Sequence, residues 1–144
     1  MMYQNQMVIQ FKSKSINESF ARAVISSFLA QLDPTIEQLH DIKTAVSEAV
    51  TNCIIHGYDS DNNQDVKLFC GYYMEGEKTK IIIEIVDMGK GIEDIEQAKE
   101  PLFTTSEDID RAGLGFTVME SMMDSVSVKS KLGEGTTVTL EIEI

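Results

Sequence analysis

The sequence predicts an α+β fold: a two-layer α/β sandwich in which one mixed, mostly antiparallel sheet carries helices on one face. Two observations lead there. Helical periodicity fills 17–56 with no strand between, whereas strand-like runs fill most of 66–86 and 125–143. The chain order is therefore not the alternation of strand and helix that builds a doubly wound parallel sheet. With 144 residues, 42% of them apolar, the chain fits a single domain spanning 1–144 and leaves little room for a second.

Each element has its own signal. "MVIQF" at 7–11 reads as a short strand. From Asn17 to Leu32, the residues Phe20, Val24, Phe28 and Leu32 mark one face of a helix. Asp33–Thr35 is a break, with Pro34 placed to start the next helix. That second helix runs to about His56, with Ile36, Leu39, Ile42, Val46, Ala49, Val50 and Cys53 facing inward and Gly57 as its stop. A polar loop, "DSDNNQD", precedes strands at 66–74 and 80–86, joined by "EGEKT" as a hairpin. A short helix is expected over 92–99. Residues 100–115 lack a clear period and read as a long loop, uncommon in a small domain unless it serves a function. A helix at 116–123, a strand near 125–130, the turn "LGEG" and a strand at 136–143 complete the chain.

Composition narrows the partners. Twelve basic residues against 24 acidic ones give a net charge of −12, which phosphate backbones and anionic lipid would repel. Nucleic acid and membrane are therefore poor partners, while a basic protein surface or a cation-neutralised anion suits the chain. No apolar run approaches the roughly 20 residues that cross a bilayer. "MMYQNQMVIQF" lacks the basic-then-apolar pattern of a signal peptide. Cys53 and Cys70 form neither a disulfide framework nor a metal set, so the expectation is a reduced, cytoplasmic protein.

Four stretches could carry chemistry. In "SEAVTNCIIHGY", Glu48, Asn52 and His56 fall along one ridge of the second helix, since each step of four advances about 40°. Ala45, Thr51 and Ile55 flank that ridge, opposite the core stripe. By itself the ridge is first of all a solvated face. Yet Thr, Asn and His are costlier in a helix than Lys, Glu or Gln, and a carboxylate beside an amide oxygen suits a hard cation such as Mg²⁺. In "IIIEIVDMGKG", an apolar strand delivers Asp87 to the sheet end, where it could accept from an exocyclic amine. Gly89 and Gly91 there could let a flat ligand approach, or simply make a turn. "RAGLGF" puts Gly113 and Gly115 before a helix, which is either a hinge or a place for phosphate. "GEGTT" at 133–137 reads most simply as a hairpin turn. There is no P-loop and no eukaryotic kinase signature.

As an ordered set, E-x-x-x-N, D-x-G-x-G, G-x-G and G-T-T resemble the N, G1, G2 and G3 boxes of the GHKL ATPase superfamily, which includes gyrase, histidine kinases and MutL. "SEAVTNCIIHGY", "PLFTTSEDIDRAGLGFTVME" and "NESFARAVISSFLAQLDPT" resemble more narrowly its serine kinase branch, the anti-sigma F factors of sporulating bacteria. The resemblance covers the chain from Val8 onward, with "GLGF" where GMGF is the usual form. It implies the Bergerat nucleotide-binding fold and a homodimer. It implies a kinase that uses ATP and Mg²⁺, inhibits a sporulation sigma factor and phosphorylates an anti-anti-sigma factor on serine. It also implies roles. Glu48 would position the serine hydroxyl or accept its proton, and Asn52 would bind Mg²⁺. Asp87 would bind the adenine amino group, with Gly89 and Gly91 lining the base. Gly113, Leu114 and Gly115 would meet the phosphates under a lid formed by 101–112, which includes Thr104 and Thr105 as nucleotide-binding candidates. Thr137 would add a hydroxyl near adenine, and Arg111 would neutralise phosphate charge. Three rivals stay open at this level: the stress-response anti-sigma B branch, an ATPase in which Glu48 activates water, and a module that only sequesters a partner. Arg22 and the 17–32 helix are expected on the partner surface.

Overall fold

The computed structural model describes residues 2–92 and 114–144. The expected helix at 92–99, the 101–112 lid and the candidates Thr104, Thr105, Arg111 and Gly113 lie outside the described residues, apart from Ile92 itself. Strand β1 (Asn5–Lys12) leads into helices α1 (Asn17–Leu29) and α2 (Ile36–Asn52). Strands β2 (Asp65–Glu75) and β3 (Lys78–Asp87) follow, then α3 (Leu114–Met122), β4 (Ser125–Lys131) and β5 (Gly135–Glu143). The sheet order is β1-β2-β3-β5-β4, and every neighbouring pair is antiparallel, so the sheet is not mixed. The reason is topological. β5 inserts between β3 and β4, separating the two strands that would otherwise have met in parallel.

The three α-helices among the described residues cover one face. Alternate residues Val66, Leu68 and Cys70 of β2, Ile81, Ile83 and Ile85 of β3, and Val138 and Leu140 of β5 turn toward them and are buried. From the helices, Ile25, Leu29, Ile42, Val46, Val50 and Met119 complete this core with no exposure. Both cysteines lie in it as free thiols. Burial pushes Cys70 up to about 12 and Cys53 well above its ordinary value, so neither is a reactive thiolate.

The inward face of α1 departs from expectation by one residue. Ala21, Ile25 and Leu29 are buried, whereas Val24 and Phe28 are half-buried and Phe20 is 48% exposed. Two apolar rows four residues apart overlap in this helix, and the smaller one fits against α2. The aromatic row lies at the rim, where Phe20 meets Phe11 edge-on at 6.3 Å and Phe28 meets Tyr72 at 5.7 Å.

Helix α2 opens on a capping box. Thr35 Oγ1 accepts from the Gln38 N–H at 3.0 Å, and Gln38 Oε1 accepts from the Thr35 N–H at 2.8 Å. Thr35 is thus the N-cap, and Pro34, expected to start the helix, lies just before it. Ile36 is the first helical residue and points outward at 91% exposure, against the expectation that it faces the core. At the far end the α-helix widens into a single π turn, Cys53–Gly57, closed by the Tyr58 N–H on the Cys53 carbonyl at 2.9 Å. The left-handed residues that end it are Asp59 and Ser60, so Gly57 is glycine for another reason.

Candidate functional site

Helix α3 packs along α2, and its start meets the Glu48–Asn52 ridge. A Cβ at Gly115 would lie 3.0 Å from both Asn52 Oδ1 and Nδ2 and 3.2 Å from Glu48 Oε2. A methyl there would press on both side chains, which would have to give by a few tenths of an ångström. The same packing corrects the placement of Ala45, which is fully buried rather than on the outer flank. Thr51 also has a structural explanation. Its hydroxyl donates to Glu18 Oε2 at 3.1 Å, and the Ser47 hydroxyl donates to Glu18 Oε1, so α1 is tied to α2 on consecutive turns. Sequence reading missed Glu18, because nothing local pairs residues 29 and 33 positions apart.

Asp87 ends β3 at 4% exposure. Burial pushes its carboxyl above the ordinary range. The Gly89 N–H, which donates to Oδ1 at 2.9 Å, the Cys53 thiol and the Thr136 N–H all pull it back by favouring the ionised form. Here Gly57 finds its reason: a Cβ on it would lie 2.9 Å from Asp87 Cγ. Gly89 and Gly91 are each held against neighbouring backbone. A Cβ on Gly89 would stand 2.0 Å from the Gly57 carbonyl oxygen, and one on Gly91 (φ +78°) 2.2 Å from that of Lys131.

The two threonines of "GTT" part company. Thr137 pairs with Val86 and Lys129 and shares their face, away from the helices. Thr136 pairs with Asp87 and Ser130, is 8% exposed, and is the one on Asp87's side. Thr136 therefore replaces Thr137 as the hydroxyl beside this carboxylate. Ser130 Oγ accepts from the Ile92 N–H at 2.7 Å and donates to the Gly135 carbonyl at 3.0 Å. Its single hydrogen being used, the 2.8 Å contact with Thr136 takes its proton from Thr136, whose lone pairs then remain as acceptors. An open cleft of about 290 Å³ wraps this sheet end and is lined by residues of both sheet faces, Asp87 and Thr136 as well as Val86, Lys129 and Thr137.

These residues fit a metal-bound purine nucleotide. A buried carboxyl group beside a hydroxyl acceptor suits an amino group on a flat base. Among the described residues no cluster of three or more His, Cys, Asp or Glu could hold a metal alone. Asn52 offers one hard oxygen, which suits an ion arriving with phosphate and water as its other ligands. Leu114 and Gly115 open α3, and a helix start presents N–H groups and a positive dipole end to anions. No described helix is long and apolar enough to cross a membrane.

Fold and site together define a nucleotide-binding domain of the histidine kinase type. The model of the histidine kinase-like ATPase domain family matches residues 11–142. The anti-sigma F factor of Thermoanaerobacter sp. (strain X514) is 56% identical over 140 residues, covering 97% of this chain and 94% of that protein. That of Caldanaerobacter subterraneus subsp. tengcongensis is 54% identical with the same coverage. Among solved structures, the RsbU and RsbW domains of a Mycobacterium tuberculosis protein superpose with a TM-score of 0.65 at 19% identity, covering 96% of this chain and 32% of that one. The chain belongs to the anti-sigma F factor family, within the histidine kinase-like ATPase domains.

Proposed function

We propose that the protein is an ATP-dependent serine kinase that binds and inhibits a sporulation sigma factor and phosphorylates, on serine, the anti-anti-sigma factor that would displace it. The observation that carries this reading is the meeting of Glu48, Asn52 and Gly115 at the start of α3. Phosphoryl transfer asks little covalent work of a protein, and positioning with charge neutralisation supplies most of the rate. Glu48 orients the serine hydroxyl and takes its proton as the new O–P bond forms and the bond to ADP breaks. Asn52 holds Mg²⁺, which supplies neutralisation of the triphosphate charge. Asp87 and Thr136 accept from the adenine amino group, and Gly115, with Gly113 and Leu114, offers backbone N–H groups to phosphate. Thr104 and Thr105 are further nucleotide-binding candidates, and Arg111 neutralises phosphate charge. The protein acts in the cytoplasm as a homodimer, where its acidity favours a partner with a basic surface.

The test is incubation with γ-labelled ATP and an anti-anti-sigma factor from the same organism. Label on an acceptor serine is expected, and Glu48→Gln should keep ATP binding while losing about 100-fold or more in transfer rate. Label released only as inorganic phosphate would make the protein an ATPase. An unchanged rate in Glu48→Gln would remove the role given to that residue.

A further inference from the structure

Three segments converge on Tyr58. Its ring is 8% exposed and part of the core, just beyond the π turn that ends α2. Its hydroxyl donates to the Asp65 carbonyl at 2.6 Å, where β2 begins, and accepts from the Met88 N–H at 2.6 Å, where β3 has ended. Met88 itself turns its side chain outward, at 73% exposure, so its anchored part is the backbone. That backbone joins Asp87 to Gly89, the residue whose N–H holds the Asp87 carboxylate. The same turn is fastened twice more to the end of α2. The Lys90 N–H donates to the Gly57 carbonyl at 3.0 Å, and Lys90 Nζ pairs with Asp59 Oδ1 at 2.9 Å.

The exposed Lys90–Asp59 pair contributes little, as surface ion pairs do. The Tyr58 hydroxyl is different: it satisfies two backbone groups from inside the core, and removing it leaves both without a partner. We propose that Tyr58 is a positioning residue for base recognition, its hydroxyl fixing the Asp87–Gly89 turn so that the carboxylate is already aimed at an exocyclic amine. This rests on the ATP reading above. The consequence is selective. The base end of the nucleotide depends on Tyr58, whereas the phosphate end, built on Asn52 and the start of α3, does not.

The experiment compares the full-length protein with Tyr58→Phe by calorimetry against ATP, GTP and Mg²⁺–tripolyphosphate. Expected are about tenfold weaker ATP binding, a smaller preference for ATP over GTP, and unchanged tripolyphosphate binding. Equal weakening for all three ligands, or none, would overturn the proposal, because a merely structural defect does not distinguish base from phosphate. Asp87→Asn serves as the control. Loss of ATP binding there beside unchanged binding in Tyr58→Phe overturns the role of Tyr58 alone, and unchanged binding in Asp87→Asn overturns the assignment of the adenine amine to Asp87 on which the proposal rests. Should Tyr58→Phe not fold, hydrogen exchange at the Met88 amide of the wild-type protein decides: strong protection supports the anchor, and exchange at the rate of an open loop removes it.

Discussion

At the scale of single residues, Asp87 is a carboxylate kept in a place that resists its charge. Its folded pKa lies above the unfolded one, because burial outweighs the donors around it. Between those two values the folded chain binds more protons than the unfolded chain, so this residue's contribution to stability falls as pH rises through the window. The ionised form accepts from an amine more strongly than the protonated one. ATP affinity should therefore weaken on acidification from a pH above the ordinary carboxylate range, while the ligand-free protein gains stability from this group over the same interval. Asp87→Asn should lower ATP affinity about 10- to 100-fold, the worth of a hydrogen bond to a charged group. Its ligand-free melting temperature should match or exceed wild type at pH 7. Calorimetry and thermal melts check both, and a melt several degrees lower would contradict this account of the burial. Asp87, Glu48 and Asn52 were legible as candidates because chemistry at fixed spacing survives in one dimension. Tyr58, Glu18 and Thr136 were not. Tyr58 and Glu18 act across 30 or so positions, and choosing Thr136 over Thr137 needs the strand pairing.

At the scale of elements, α2 has two covered faces, one on the core and one under α3. Its apolar stripe was readable over Ile42–Val50, but Ala45 changed sides and Ile36 left the core. A lone periodicity cannot tell a covered flank from an open one, nor does it register that a capping box fixes the first residue outward. The α1 stripe failed for a related reason, since two overlapping rows met the same spacing and neighbouring bulk chose between them. The α2–α3 contact can be tested directly. Gly115→Ala adds a methyl that helix propensity favours by up to about 1 kcal/mol, yet that methyl presses on Asn52 and Glu48. The variant should melt no lower than wild type and lose about tenfold or more in phosphate transfer. Full activity would mean that the close approach of α3 has no part in the chemistry.

At the scale of the whole molecule, the class of fold was readable and the sheet order was not. Two helices between β1 and β2 set an antiparallel return, and each hairpin announced itself through its turn residues. The insertion of β5 between β3 and β4 depends on which edges remain available after collapse, which local pattern does not encode. Stability should follow the observed core. Leu29→Ala, at a fully buried site, is expected to lose about 2–5 kcal/mol in denaturant unfolding, whereas Ile36→Lys should stay within about 0.5 kcal/mol of wild type. A large loss at Ile36 would reinstate the inward face that the sequence first suggested.

The contact between Gly57 and Gly89 has a consequence for anyone redesigning this protein. A Cβ on Gly89 would run into the Gly57 carbonyl and one on Gly57 into the Asp87 carboxyl, so a side chain on either one displaces that carboxylate. The two positions behave as one mechanical joint. A library that diversifies one of them while holding its counterpart fixed will return mostly broken binders, however well each single exchange scores by size or polarity.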